Sequence, residues 1–202
     1  MPSKLLRAAL GAIAMLLVAT PAHAQQFSDS YQFLEAIKKD DGTKVMQIIT
    51  DTNGGVLNSR DKEAGEGALH IVARKGDSTW LRYLIQKGAN PNIQDGRGNT
   101  PLMIAVETGY AEGVQILLRY GANVNLGNSS GETPLIRAVQ MRKLDMVRIL
   151  LEGGADPDKA DIIAGQSARD YARVDRRMPP SIAKLLTDAP KVNRAGVSGP
   201  KL

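Results

Sequence analysis

The 202-residue chain contains no cysteine. That excludes disulfides, thiolate metal ligands and cysteine nucleophiles. Histidine is nearly as scarce, with two in the whole chain. His23 falls in a segment expected to be removed, which leaves His70 as the one imidazole of the mature protein. Cys/His zinc sites and Ser-His-Asp triads therefore have almost no material to be built from, and neither a metal nor a cofactor is expected. Aromatic residues make up 4 % of the chain. A core must come mainly from Leu, Ile, Val, Ala and Met. Nucleic acid is excluded as a partner for want of stacking residues in an exported chain. No apolar run is long enough to span a bilayer, which takes about 20 residues.

What is present begins with a leader. Lys4 and Arg7 precede an apolar run from Ala8 to Thr20, followed by Pro21 and the small-x-small step Ala22-His23-Ala24. This is the pattern of a cleavable bacterial secretory signal peptide over residues 1–24, with a mature chain starting at Gln25. No cysteine follows the site, so lipid attachment there is excluded. The expected location is the periplasm, with secretion beyond the envelope as an alternative. Charge is uneven along the chain. From Arg169 to Leu202 there are eight basic and three acidic residues, while the stretch from Gln25 to Ala168 is mildly acidic.

The most informative feature is a fixed period. Gly67-Ala68-Leu69-His70-Ile71-Val72-Ala73, Thr100-Pro101-Leu102-Met103-Ile104-Ala105-Val106 and Thr133-Pro134-Leu135-Ile136-Arg137-Ala138-Val139 align at 33-residue steps. Gly88-Ala89-Asn90, Gly121-Ala122-Asn123 and Gly154-Ala155-Asp156 repeat at the same step. Between these landmarks lie Leu81, Leu84 and Ile85, then Val114, Leu117 and Leu118, then Val147, Leu150 and Leu151. Each set has the i, i+3, i+4 spacing of one helix face. Thr100 and Thr133 are placed to cap helix N-termini, with Pro101 and Pro134 at the first helical position. Small residues at Ala73, Ala105 and Ala138 let neighbouring helices approach. Gly76 and Gly109 are placed to end the first helix of a pair, and Gly88, Gly121 and Gly154 the second.

These landmarks resemble the ankyrin repeat, whose signature is a Thr-Pro-Leu-His-x-Ala segment, a second helix ending in Leu-Leu, and Gly-Ala-Asx. The resemblance implies an all-α ankyrin-repeat solenoid of stacked helix-turn-helix units joined by hairpin loops. About five repeats over residues 25–188 are expected: 28–60 (degenerate), 61–94, 95–127, 128–160 and 161–188 (degenerate). At the N-terminal end Phe33, Leu34, Ala36 and Ile37, then Val45, Ile48 and Ile49, read as a helical pair. At the C-terminal end the segment returns shifted by one residue, with Arg169 where Leu135 stood. A charge is tolerable there on an outer face. Residues 189–202 read as a disordered basic tail. Three or more stacked units suffice for a stable solenoid, so a monomer is expected.

Other candidate chemistry gives way to structural readings. His70 holds the histidine position of the motif and is expected to hydrogen-bond backbone and steady a hairpin. Asp156, Asp158 and Asp161 lack the glycine and terminal glutamate of an EF-hand loop. Gly96-Arg97-Gly98 lacks the spacing of a phosphate loop. The chain is read as a non-enzyme.

The resemblance implies binding of another protein through a concave face of hairpin tips and first-helix ends. That face comprises Glu63, Glu66, Arg74 and Lys75; Arg97, Asn99, Glu107 and Thr108, with Tyr120 at its lower edge; and Ser129, Ser130, Glu132, Gln140 and Met141. Trp80 and Tyr83 are large enough to anchor a partner, although Trp80 could equally pack within its own repeat. A second reading is attachment to an anionic envelope surface, lipopolysaccharide or lipid, through Arg169, Arg173, Arg176, Arg177, Lys184, Lys191 and Arg194.

Overall fold

The computed structural model describes residues 22–190, with side chains from Asp29 onward. Most of the expected leader and all but the first two residues of the expected tail lie outside the described residues. Within them the chain forms ten α-helices: α1 (Ala22–Lys38), α2 (Gly42–Asp51), α3 (Ala68–Lys75), α4 (Ser78–Gln86), α5 (Pro101–Thr108), α6 (Ala111–Arg119), α7 (Pro134–Gln140), α8 (Leu144–Glu152), α9 (Ala168–Val174) and α10 (Pro180–Asp188). None of the described helices is long and apolar enough to cross a membrane. Helices α1, α3, α5, α7 and α9 pack side by side in one row, and α4, α6, α8 and α10 in a second. The first pair joins the stack through α1 on α3.

Each helix starts where the local chemistry lets it. Thr100 and Thr133 accept the backbone N–H of Met103 and Ile136 on their hydroxyls, both at 3.3 Å. In each case proline follows, where its missing N–H has no cost. Helix α9 starts one residue later in the period. Ser167 caps it, and Asp170 reaches back to the Ser167 N–H at 3.1 Å, so the orphan donors are satisfied reciprocally. The shift seen in the sequence is therefore an extra loop residue, and the helix frame behind it is intact.

Helices α3, α5 and α7 are each followed by a residue in the left-handed region, whereas α9 ends on Asp175 at φ −80°. Gly76 and Gly109 take φ +74° and +77°. The same position of the next pair is Arg142, at φ +53°. A side chain there costs about 1–2 kcal/mol. Its guanidinium reaches Asp175 at 2.7 Å, which offsets part of that cost.

The core runs continuously between the two rows. Leu69, Leu102, Leu135, Leu81, Leu84, Val114, Leu117, Val147 and Leu150 are buried completely or nearly so. Ile85, Leu118 and Leu151, the third member of each i, i+3, i+4 set, are only partly buried and pack at its edge. At the position of the buried Ala105 and Ala138 the first clear repeat has Val72, and Ala73 stands one place later. Phe33, Leu34, Ala36, Ile37, Val45, Ile48 and Ile49 bury the N-terminal pair against α3. The Trp80 indole closes that junction. It lies so near Gly42 that a Cβ there would stand 2.9 Å from the ring, and it meets Tyr83 edge-on at 5.2 Å.

Arg169 differs from its expected surface role. Its side chain is only 20 % exposed. It pairs with Asp158 at 2.8 Å and donates to the carbonyls of Leu186 and of Ala189, the latter at 2.7 Å. The guanidinium thus caps the C-terminus of α10, where the helix leaves carbonyls unpaired.

Candidate partner-binding groove

Four hairpin loops precede α3, α5, α7 and α9, and each is closed by a backbone hydrogen bond across its neck. The N–H groups of Asp61, Asp95, Asn128 and Asp161 donate to the carbonyls of Glu66, Asn99, Glu132 and Gln166. The leading Asx side chain folds the tip by accepting amides further along. Asp61 takes Glu63 and Ala64, Asp95 takes Arg97 and Asn99, Asn128 takes Ser130 and Glu132. Asp and Asn favour such turns because a short side-chain oxygen reaches amides two residues on.

The tips are also joined to one another. Gly96 N–H donates to Ala64 carbonyl at 2.8 Å, Ser129 N–H to Arg97 carbonyl at 3.0 Å, and Ile162 N–H to Ser130 carbonyl at 2.9 Å. This close approach needs the glycines behind it. A Cβ at Gly98 would stand 2.5 Å from Ser129 N, and one at Gly131 2.8 Å from Ile162 N. The four loops therefore form one rail instead of four independent flaps.

Between the rail and the α3, α5 and α7 row lies a groove of ≈ 990 Å³. Glu63, Glu66, Arg74, Arg97, Asn99, Glu107, Ser129, Ser130 and Glu132, all named from the sequence, line it together. Lys75, Thr108, Gln140 and Met141 stand at the ends of first helices or just past them, outside that lining. Lys75 is held by Asp40 at 2.6 Å and by the carbonyls of Ile37 and Lys38. Thr108 turns its hydroxyl to the Ile104 carbonyl at 3.0 Å. Tyr120 belongs to the other row: it ends α6, and its hydroxyl accepts from Gln86 at 3.1 Å. Trp80 and Tyr83 lie on α4, also in that row.

Asn99 is buried, and its side chain bonds Asp95 and Asn128 at 3.1 and 3.3 Å, so it builds the groove wall. Arg137 is a groove residue that sequence reading left out. It occupies the position of Ile71 and Ile104, and that substitution of charge for isoleucine within a constant frame was its available signal. It donates to Glu132 at 2.6 Å, and its Nε stands 3.5 Å from Glu107 without a hydrogen bond. One guanidinium thus faces two carboxylates. Burial pushes the Glu132 carboxyl up, with Arg137 and Asn128 pulling it back down and Glu107 adding to the rise. Arg74 pairs with Glu66 at 2.9 Å.

The last loop was also missed. Ile162 and Ile163 are 72 % and 78 % exposed, at the tip where the other loops carry Glu63, Arg97 or Ser130. Asp161 holds them from below. It accepts the amides of Ile163, Ala164 and Gly165 and the Tyr171 hydroxyl, the last at 2.6 Å. Burial alone would raise this carboxyl, but those four donors outweigh it and hold it below its ordinary value.

The basic C-terminal end is partly spent. Arg169 is bound internally, and Arg173 pairs with Asp170 at 2.8 Å. Arg176, Arg177 and Lys184 form no ion pair among the described residues, and Lys191 and Arg194 lie outside them.

A family model described as ankyrin repeats (3 copies) matches residues 33–128 and 69–161. Among curated proteins, the nuclear factor NF-kappa-B p110 subunit of Drosophila melanogaster is 35 % identical over 74 residues, 35 % of this chain. The neurogenic locus notch homolog protein 1 of Danio rerio is 39 % identical over 61 residues, 29 % of this chain. A putative ankyrin repeat protein of Acanthamoeba polyphaga mimivirus is 34 % identical over 70 residues, 35 % of this chain. The matches cover 8 %, 2 % and 9 % of those proteins.

Proposed function

We propose, from the premise that this chain belongs to the ankyrin-repeat family of protein-interaction modules, that it grips another protein along the groove lined by Glu66, Arg97, Glu107, Ser129 and Glu132. The observation that carries this reading is the rail: loops of differing side chains held in one fixed line by tip-to-tip backbone bonds. A surface already ordered before binding loses little entropy on association, so few contacts are wasted on ordering it. The charged and hydroxyl side chains along the rail are set by sequence positions that vary from repeat to repeat, which is how a constant frame displays one particular surface.

We place the module in the periplasm on the strength of the leader over residues 1–24, where it would scaffold, protect or inhibit an envelope protein. The alternative of an anionic-surface binder has less support. The basic end spends Arg169 and Arg173 on internal partners, and the groove itself is acidic on balance.

The test is recovery of partners from periplasmic extract with the chain immobilised. Arg97→Ala and Glu107→Ala are expected to reduce recovery of a partner that Tyr120→Ala, on the other row, leaves bound. Equal recovery with all three variants would remove the groove assignment. Salt-sensitive co-sedimentation with lipopolysaccharide that survives the groove substitutions would favour the alternative.

A further inference from the structure

The groove and the last hairpin offer different chemistry at a fixed separation. Five carboxylates (Glu63, Glu66, Asp95, Glu107, Glu132) and three guanidiniums (Arg74, Arg97, Arg137) line the groove, a formal balance of −2. Half of that excess lies where Arg137 alone serves both Glu107 and Glu132. Next along the rail, the loop 161–165 presents two adjacent isoleucines to solvent. This loop is not slack. Asp161 N–H is taken by Gln166 and Ile162 N–H by Ser130, while the next three amides go to the Asp161 carboxylate. Every amide from residue 161 to 165 is therefore satisfied, and the tip is held in one shape with its apolar pair outward. Two large apolar side chains on an ordered tip, continuous with a charged groove, form a two-part contact.

Resting on the reading under Proposed function, we propose that the partner presents an extended segment carrying both a Lys or Arg and large apolar residues. The cation lies beside Glu107 and Glu132, and the apolar side chains pack on Ile162 and Ile163. Glu107 is on α5, and the loop belongs to α9, two steps further along the row. Two inter-helix steps of 8–10 Å make roughly 16–20 Å, which about five or six extended residues span. Charge complementarity sets the sign of the partner. The same acidic balance disfavours an anionic membrane as the occupant of the tip, since the groove beside it would repel the headgroups.

The experiment uses the full chain as target and a phage-displayed library of random linear peptides as probe. Synthetic versions of the recovered sequences are then titrated by fluorescence anisotropy. Recovered peptides are expected to pair Lys or Arg with Ile, Leu, Val or Phe about five or six positions away. Ile162→Ser with Ile163→Ser, and separately Glu107→Gln, are expected to weaken them by about tenfold or more, while the melting temperature stays unchanged. Peptides that depend on Glu107 but bind the isoleucine variant normally would overturn this inference and leave the groove reading standing. Peptides indifferent to both sets of substitutions, or no peptides at all, would count against both. The inference would equally fall if the isoleucines drove self-association in sedimentation, or binding to phosphatidylglycerol vesicles, with no peptide present.

Discussion

The imidazole of His70 joins two successive repeats: its Nδ1 accepts the Gly67 N–H at 3.1 Å, and its Nε2 lies 3.0 Å from the Asn99 carbonyl oxygen. A carbonyl only accepts, so Nε2 carries the proton and the ring is neutral. The residue is fully buried. Gly67 has no side chain to accept an amide of the first turn as Thr100 and Thr133 do; His70 instead reaches back from that turn to the Gly67 N–H, as Asp170 does to the Ser167 N–H. His70→Ala leaves the buried Gly67 N–H without a partner, takes one of two donors from the Asn99 carbonyl, which keeps the Asp95 N–H, and opens a cavity. We expect a loss on the order of 3 kcal/mol, read from urea unfolding monitored by helical circular dichroism.

The same contact makes stability depend on acid. Burial lowers the His70 pKa below its ordinary value of 6.5. In the unfolded chain the ring takes up a proton as pH falls through about 6.5, while the folded ring stays neutral. The unfolded state then binds more protons, so stability is full above that pH, declines as pH falls below it, and stops declining below the folded pKa. Unfolding midpoints between about pH 5 and pH 7.5 should show this slope in the native chain. The slope should shrink in His70→Gln. An identical slope in the variant would assign it to other groups.

Gly131→Ala tests the rail. The glycine sits at φ +72°, and an added Cβ would come within 2.8 Å of Ile162 N. We expect a cost of about 1–3 kcal/mol. Faster amide exchange is expected at Ile162, whose N–H is bonded to Ser130, than in the native protein. Unchanged exchange at that amide would mean the loops are ordered independently of one another.

Arg169→Leu restores the residue type that the period places at this position, and for that reason is informative. Leucine would remove the guanidinium that bonds Asp158 and the carbonyls of Leu186 and Ala189. Amide exchange in α10 should accelerate ahead of global unfolding, with local stability lower by about 1–3 kcal/mol. A variant as protected as the native chain would show that the guanidinium does not hold α10.

The stack was legible because its determinants are local and recur. Thr100, Pro101 and Leu102 return at the next step as Thr133, Pro134 and Leu135, and each makes the same cap, first turn and buried contact. The groove was partly legible for the same reason: once the frame is in register, Arg97 and Ser129 fall on tips by position. What stayed hidden depends on long-range geometry. Tyr120 ends a second helix, and only the packing shows that this end bonds Gln86 and lies away from the groove. Arg169 looked like a tolerated surface charge because the α10 carbonyls it binds lie 17 and 20 residues further on. Ile162 and Ile163 carry no landmark of the repeat, and the sequence reading passed over them. Their exposure follows from Asp161 being fixed beneath them by Tyr171, ten residues away.

The central claim, that a partner protein lies in the groove, is tested most directly by a photo-crosslinking side chain placed singly at position 129 or 148. Ser129 lines the groove, and Arg148 is exposed on α8 in the other row. With each variant irradiated in periplasm, the account predicts a discrete crosslinked protein from position 129 that excess unlabelled native chain competes away, and none from position 148. A competable product from position 148 alone would place the binding face on the opposite row and contradict the account.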